Sequence, residues 1–199
     1  MKKHPNIETH QIYRKSEETN HYLIEVALDK YEDIFNEWDP APFKRRDLHP
    51  NLTEFFEECS SEINIRYQVA VVFYLPKAEI DLEKQEQCIR GLRNHFAYSV
   101  HTLRKRLKVS RQRAIRNILV GIAFLFVATT AEASYTRTLL SSVLVQGLFI
   151  GGWVFVWEGI SSVMFKDHST RTKAKEWERL HDAPIAFKKE HKPGHNYER

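Results

Sequence analysis

Two long apolar runs late in the chain set the pattern against which the rest is read. Asn117 to Ala131 (NILVGIAFLFVATTA) is 15 residues without a charge, and Thr138 to Trp157 (TLLSSVLVQGLFIGGWVFVW) is 20 more. A helix rises about 1.5 Å per residue and needs about 20 apolar residues to cross a bilayer. The second run meets that length unaided. The first meets it by taking in Ala114–Ile115 or Ala133–Tyr135. A pair of buried helices in a soluble core is the alternative, but two adjacent runs of this length favour two transmembrane spans. Only Glu132 to Arg137 separates them, so they are expected to form an antiparallel hairpin.

Upstream the periodicity changes. Tyr22 to Asp29 (YLIEVALD) alternates around β-formers, and Tyr67 to Leu75 (YQVAVVFYL) is a near-continuous strand run stopped by Pro76. Between them Asn51 to Ile63 reads as a helix, with Asn51 as N-cap and Leu52, Phe55, Phe56 and Cys59 as its apolar face. Strand, helix, strand fits a crossover with a right-handed parallel pairing. Ile7 to Tyr13 and Pro184 to Phe187 are candidate short edge strands. From Asp81 a long helix is expected, with Ile89, Leu92, Phe96, Val100, Leu103 and Leu107 at spacings of three and four. No proline falls between Pro76 and Pro184, so this helix is expected to run unbroken into the first span. Its apolar stripe covers the small sheet or serves as an oligomer seam; covering the sheet is favoured, because two or three strands cannot protect their own faces.

Charge sharpens the picture. The 199 residues carry a formal net charge of +4, which hides strong segregation. Residues 1–89 sum to −7, residues 90–116 to +9, residues 117–165 to −1 and residues 166–199 to +3. The basic collar RKRLKVSRQRAIR abuts the first span, Lys166, Arg171, Lys173 and Lys175 follow the second, and the connecting loop holds Arg137 alone. By the positive-inside rule both termini face the cytoplasm. The collar reads as a topogenic patch touching anionic lipid; it has no interleaved aromatic platform, which disfavours nucleic acid. Met1 to Asn20 lacks an apolar signal region, so the first span is expected to act as an internal signal anchor. Cys59 and Cys88 both fall on the cytoplasmic side and are expected to be reduced.

Within the second span Gly147 and Gly151 form a G-x-x-x-G pair, suited to packing against the first span or between subunits. Gln146, Thr129 and Thr130 add polar groups that a lipid-facing surface would avoid. Glu158 is the one acid of that span, and hairpin geometry puts it at the depth of Arg116. A structural ion pair with Arg116 or Arg113, flanked by the belt residues Trp153 and Trp157, is the plain reading; ion or proton passage is the functional one.

Candidate chemistry concentrates in Phe35 to Pro50 (FNEWDPAPFKRRDLHP). Asp39-Pro40 and Ala41-Pro42 impose extended or turn geometry, making an ordered loop. It gathers Asp39, Lys44, Arg45, Arg46, Asp47 and His49, a set able to bind an anion or support acid–base chemistry through Asp39, Arg46, Asp47 and His49. The alternative is a loop stapled by Asp-to-backbone bonds and an Arg–Asp pair, with Phe35, Trp38 and Phe43 as anchors.

The loop, the preceding strand and the basic helix leading into a two-span hairpin resemble an uncharacterised family of small bacterial two-span membrane proteins. Their pattern, F-N-x-x-D-P-x-P-F-x-x-R-D-L, is matched by Phe35, Asn36, Asp39, Pro40, Pro42, Phe43, Arg46, Asp47 and Leu48. The resemblance covers Tyr22 to Pro184. It implies the architecture and a place in the bacterial inner membrane, and no chemistry.

No Walker loop, G-x-G-x-x-G, H-E-x-x-H, C-x-x-C or G-x-S-x-G occurs, so no cofactor, metal site or catalytic residue is assigned. Ten histidines are scattered; His181, His191 and His195 near the C-terminus are discounted as a metal site. The expectation is an α+β fold in four parts: a cytoplasmic domain over 1–109, the collar, first span and outer loop over 110–137, the second span over 138–165, and a basic cytoplasmic tail over 166–199. The leading function is a membrane-anchored sensing, scaffolding or partner-binding module, self-associating through the hairpin. A small oligomeric channel or membrane-disrupting effector is the second reading, and an enzyme built on the 35–50 loop the third.

Overall fold

The computed structural model describes residues 12–40, 46–76, 80–134 and 139–189. It is a mixed fold, with a small parallel sheet and two long apolar helices. The elements run β1 (Tyr22–Ala27), a 3₁₀ turn (Tyr31–Ile34), α1 (Pro50–Glu62), β2 (Val69–Leu75), α2 (Leu82–Ser134), α3 (Leu139–Ser161), a π-helical turn (Ser162–Lys166), α4 (Asp167–Asp182) and β3 (Ile185–Lys189). They form two compact units. One runs to His101 and resumes at Lys173; the other is Thr102–Thr172. Most of α4, and β3 after it, fall in the sheet unit.

The sheet has the order β1-β2-β3 and is wholly parallel. Tyr22 pairs with Val69 and Ala27 with Tyr74; on the other side of β2, Val71 pairs with Ile185 and Leu75 with Lys189. Every residue of β2 but Tyr74 is buried, which is why that strand reads as a continuous apolar run. β1 and β3 are the edges. Of the expected N-terminal strand, Ile7 to Gln11 lie outside the described residues, and Lys15 makes a single antiparallel bridge to Tyr22.

Helix starts are set by identifiable caps. The Asp81 carboxylate accepts from the Glu83 and Lys84 N–H groups at 2.9 and 3.3 Å, so α2 begins where the sequence predicts. For α1 the cap is His49 and not Asn51: its Nδ1 accepts from Asn51 N–H at 3.3 Å, and Pro50 occupies the first helical position, where a missing N–H costs nothing. Leu52, Phe56 and Cys59 are buried on α1, whereas Phe55 is 38% exposed.

The core of the sheet unit is aromatic. Phe56 of α1 meets Phe73 of β2 at 6.4 Å and Phe96 of α2 at 5.6 Å, both edge-on; Trp177 of α4 lies 5.6 Å from Phe96, and Phe187 of β3 stacks on Phe73 at 5.0 Å. The stripe on α2 is buried in this core at Cys88, Leu92, Phe96 and Val100, with Phe96 against α1 and α4. Cys59 and Cys88 are free, buried thiols. Burial raises both pKa values, that of Cys88 to about 12, so neither is a reactive thiolate.

In the second unit the two helices meet through small residues. A Cβ added to Gly121 would fall 2.6 Å from the Gly152 carbonyl oxygen, and one added to Gly159 would fall 2.8 Å from that of Ala114. Ala114 and Ala128 are fully packed, and Phe124 crosses Phe155 edge-on at 5.7 Å. The outward faces are apolar: Leu139 is 90% exposed, Phe126 68% and Trp157 67%. Both helices are long and apolar enough to cross a membrane, and only 17% and 6% of their most apolar stretches are buried. A buried soluble core would show the reverse.

Candidate functional site

Two places gather polar side chains: the 35–50 loop of the sheet unit and one end of the helical hairpin.

The loop is held by its own backbone. Phe35 and Leu48 form an antiparallel bridge and are both buried, which pins its two ends. Asn36 N–H donates to the Asp47 carbonyl at 2.8 Å, and His49 N–H to that of Ile34 at 3.0 Å. The Asp39 carboxylate accepts from Asp47 N–H at 2.9 Å, and the Asn36 side chain accepts from Trp38 N–H at 3.0 Å. His49 is engaged with α1, as its cap. Phe35, Asn36, Asp39, Asp47 and Leu48, all within the sequence motif, are therefore residues that build the loop. Arg46 is half-buried; Ala41 to Arg45, which include Pro42, Phe43, Lys44 and Arg45, lie outside the described residues.

Of the four candidate residues His49 reaches a concavity among the described residues. It lines a depression of about 190 Å³ with Asn36, Glu37, Trp38 and Pro50, below the roughly 300 Å³ at which small-molecule pockets begin. Asp39, Arg46 and Asp47 do not line it. Trp38, expected to anchor the loop to the core, is 92% exposed: after the Asn36 turn its ring faces outward, and the anchoring falls to Phe35 and Leu48.

Two polar residues that the sequence did not single out are central to this unit. Arg179 of α4 donates through Nη1 to the carbonyls of Ile63, Asn64 and Tyr67 at 3.1, 2.9 and 3.2 Å, and through Nη2 to the carbonyl and hydroxyl of Ser60. One guanidinium satisfies the C-terminal end of α1 and the turn into β2, and burial lowers its pKa. Its signal in the sequence is the Ala174, Trp177, Leu180 spacing, which marks α4 as packed. His95 is 15% exposed in its side chain, lies edge-on to Trp177 at 6.0 Å, and has Nδ1 3.9 Å from an Asp47 oxygen. Burial pushes its pKa below the ordinary value; Asp47 opposes that in part.

At the hairpin a polar concavity of about 560 Å³ lies wholly within the second unit. Its α2 wall carries Lys105, Arg106, Arg113 and Arg116 at helical spacing. Glu158 and Ser162 form the opposing wall, so the structure brings Arg113, Arg116 and Glu158 to one depression. The glycine pair behaves differently. A Cβ on Gly147 would meet nothing within 4 Å and one on Gly151 only the Phe124 ring at 3.8 Å; the close approaches are at Gly121, Gly152 and Gly159.

Among the described residues no group of three or more His, Cys, Asp and Glu side chains could hold a metal ion. No family model matches the chain, and neither a curated protein nor a solved structure gives a match.

Proposed function

We propose that this chain is a two-span protein of the bacterial inner membrane, with both termini in the cytoplasm, that holds a small α+β module at the cytoplasmic face for binding a protein partner. The observation that carries the reading is topological. β2 precedes the hairpin and β3 follows it, yet they are neighbours in one sheet. Chain entering a membrane after β2 must return to the same side before β3, which demands an even number of spans. The charge flanks then choose the side, with nine basic and no acidic residues in 90–116.

The module's role follows from its surface. It offers an exposed Trp38 beside a shallow depression, an arrangement suited to docking a partner and poor for enclosing a substrate. The pore reading draws less support, since the Thr129 and Thr130 hydroxyls donate back to the Phe126 carbonyl of their own helix.

Impermeant maleimide labelling tests the topology. A cysteine at Ala133 should react in cells with a permeable outer membrane, and one at Glu178 only after the inner membrane is opened; equal reactivity overturns the reading. For the docking role, a benzophenone amino acid in place of Trp38 should give one discrete adduct with another protein in cells. Adducts only with lipid or with a second copy would remove that part.

A further inference from the structure

We infer that the basic concavity at the cytoplasmic end of the hairpin is a built site for the phosphate of an anionic glycerophospholipid headgroup. The inference rests on the membrane reading above and goes beyond it, since a basic collar by itself implies only diffuse attraction.

The site arises from how the helices separate. They touch where Gly159 packs on Ala114, and one turn further from the uncharged run Ser110 and Ser162 face each other with hydroxyls 3.4 Å apart. Ser162 begins the π-helical turn, an inserted residue of the kind that recurs at functional sites. Small side chains on the floor leave the space; long basic ones on α2 rim it. Lys105, Arg106, Arg113 and Arg116 all line it, falling within a sector of about 100° around the helix at about 3.6 residues per turn.

The chemistry suits a phosphodiester. Arg113 and Arg116 present planar donor forks that match phosphate oxygens, Lys105 and Arg106 at the start of the collar add charge, and the Ser110–Ser162 hydroxyl pair can turn one neutral donor outward. Glu158 opposes one cation and leaves the pocket positive. Its level is right for a lipid: Asn117, also on the lining, opens the uncharged run, so the pocket sits where headgroups meet acyl chains. The exposed apolar flanks of α2 and α3 beside it, Ile115 and Trp157 among them, offer surface for the acyl chains that a free phosphate ion lacks.

The test uses the full chain in nanodiscs of phosphatidylcholine doped with phosphatidylglycerol or with diphosphatidylglycerol, reading retained lipid by native mass spectrometry. The paired change Arg113→Gln with Arg116→Gln is compared with Lys108→Gln with Arg111→Gln, which removes the same charge from the same helix outside the pocket. A built site predicts a loss of anionic-lipid retention of about tenfold or more for the first pair and under about threefold for the second. Equal losses for both pairs would show diffuse adsorption and overturn the site. In a parallel arm inorganic phosphate is added against chloride of equal ionic strength. Displacement of lipid by phosphate alone, dependent on Arg113 and Arg116, would assign the pocket to the free ion and overturn the lipid assignment. Failure of the wild-type chain to enter nanodiscs at all would instead strike the membrane reading, so the two failures are distinct.

Discussion

The sheet unit and the hairpin unit hide opposite things. In the sheet unit most large rings are interior, with Phe56, Phe73 and Phe96 fully buried. In the hairpin the interior is glycine and alanine, and the large apolar side chains face out. The first arrangement is what water selects, where burying aromatic area is the dominant gain. The second gains nothing from burying apolar area that lipid already accommodates, and instead brings backbones close. The contrast within one chain is what the proposed membrane hairpin requires, two units packed against different solvents.

The largest way to break that contrast is in the aromatic core. Phe56→Ala should destabilise the sheet unit by about 3–5 kcal/mol in chemical unfolding while leaving hairpin helicity in micelles unchanged. Arg179→Ala should cost about 2–4 kcal/mol, since it strips the donors from four carbonyls at the end of α1; Arg179→Lys should recover little, because one ammonium cannot span the set. In the hairpin, Gly159→Leu should cost about 1–3 kcal/mol of helix association in bilayers, and Gly147→Leu less than about 0.5, since only the former meets backbone. A larger effect at Gly147 would mean that its open face is covered by another subunit.

The smallest expected effect is a pH dependence confined to the sheet unit. His95 is depressed by burial in the folded state, so on acidification the unfolded chain takes up a proton first. Its contribution is fully present above about pH 6.5, the ordinary histidine value, and is lost as pH falls below that towards the folded value. Thermal scans should show the wild type losing stability over that window and His95→Gln losing less; identical slopes would remove His95 as the cause.

Much of the architecture was legible because it is written in long patterns. The β2 run, the start of α2 at Asp81 and the two apolar runs are each set by periodicity or a cap. The rest failed for identifiable reasons. Pro184 to Phe187 is readable as a candidate edge strand, and Ile185–Lys189 is one; that it pairs with β2 across the hairpin is not readable, so α4 reads as part of a basic tail. The helix-docking glycines were hidden because every side of α3 is apolar and the sequence cannot show which side faces α2. The regular four-residue pair, Gly147 and Gly151, draws attention away from Gly152 and Gly159. At the loop, Asp39 as a backbone staple was readable from its chemistry. The outward Trp38 was not, since burial of one ring over another depends on the Phe35–Leu48 bridge. The basic pocket was legible only as a run of charges; that Ser110 and Ser162 open a space behind it is a property of the pair of helices.

The central claim is that a membrane hairpin is inserted between two neighbouring strands of one cytoplasmic sheet. A protease site placed after Ala133, combined with Tyr74→Cys and Lys188→Cys on paired residues of β2 and β3, tests both halves in one gel. Protease added outside the inner membrane should cut the chain. After oxidation the two fragments should then run together, separating only on reduction. Resistance to external protease, or fragments that part without reduction, would contradict the account.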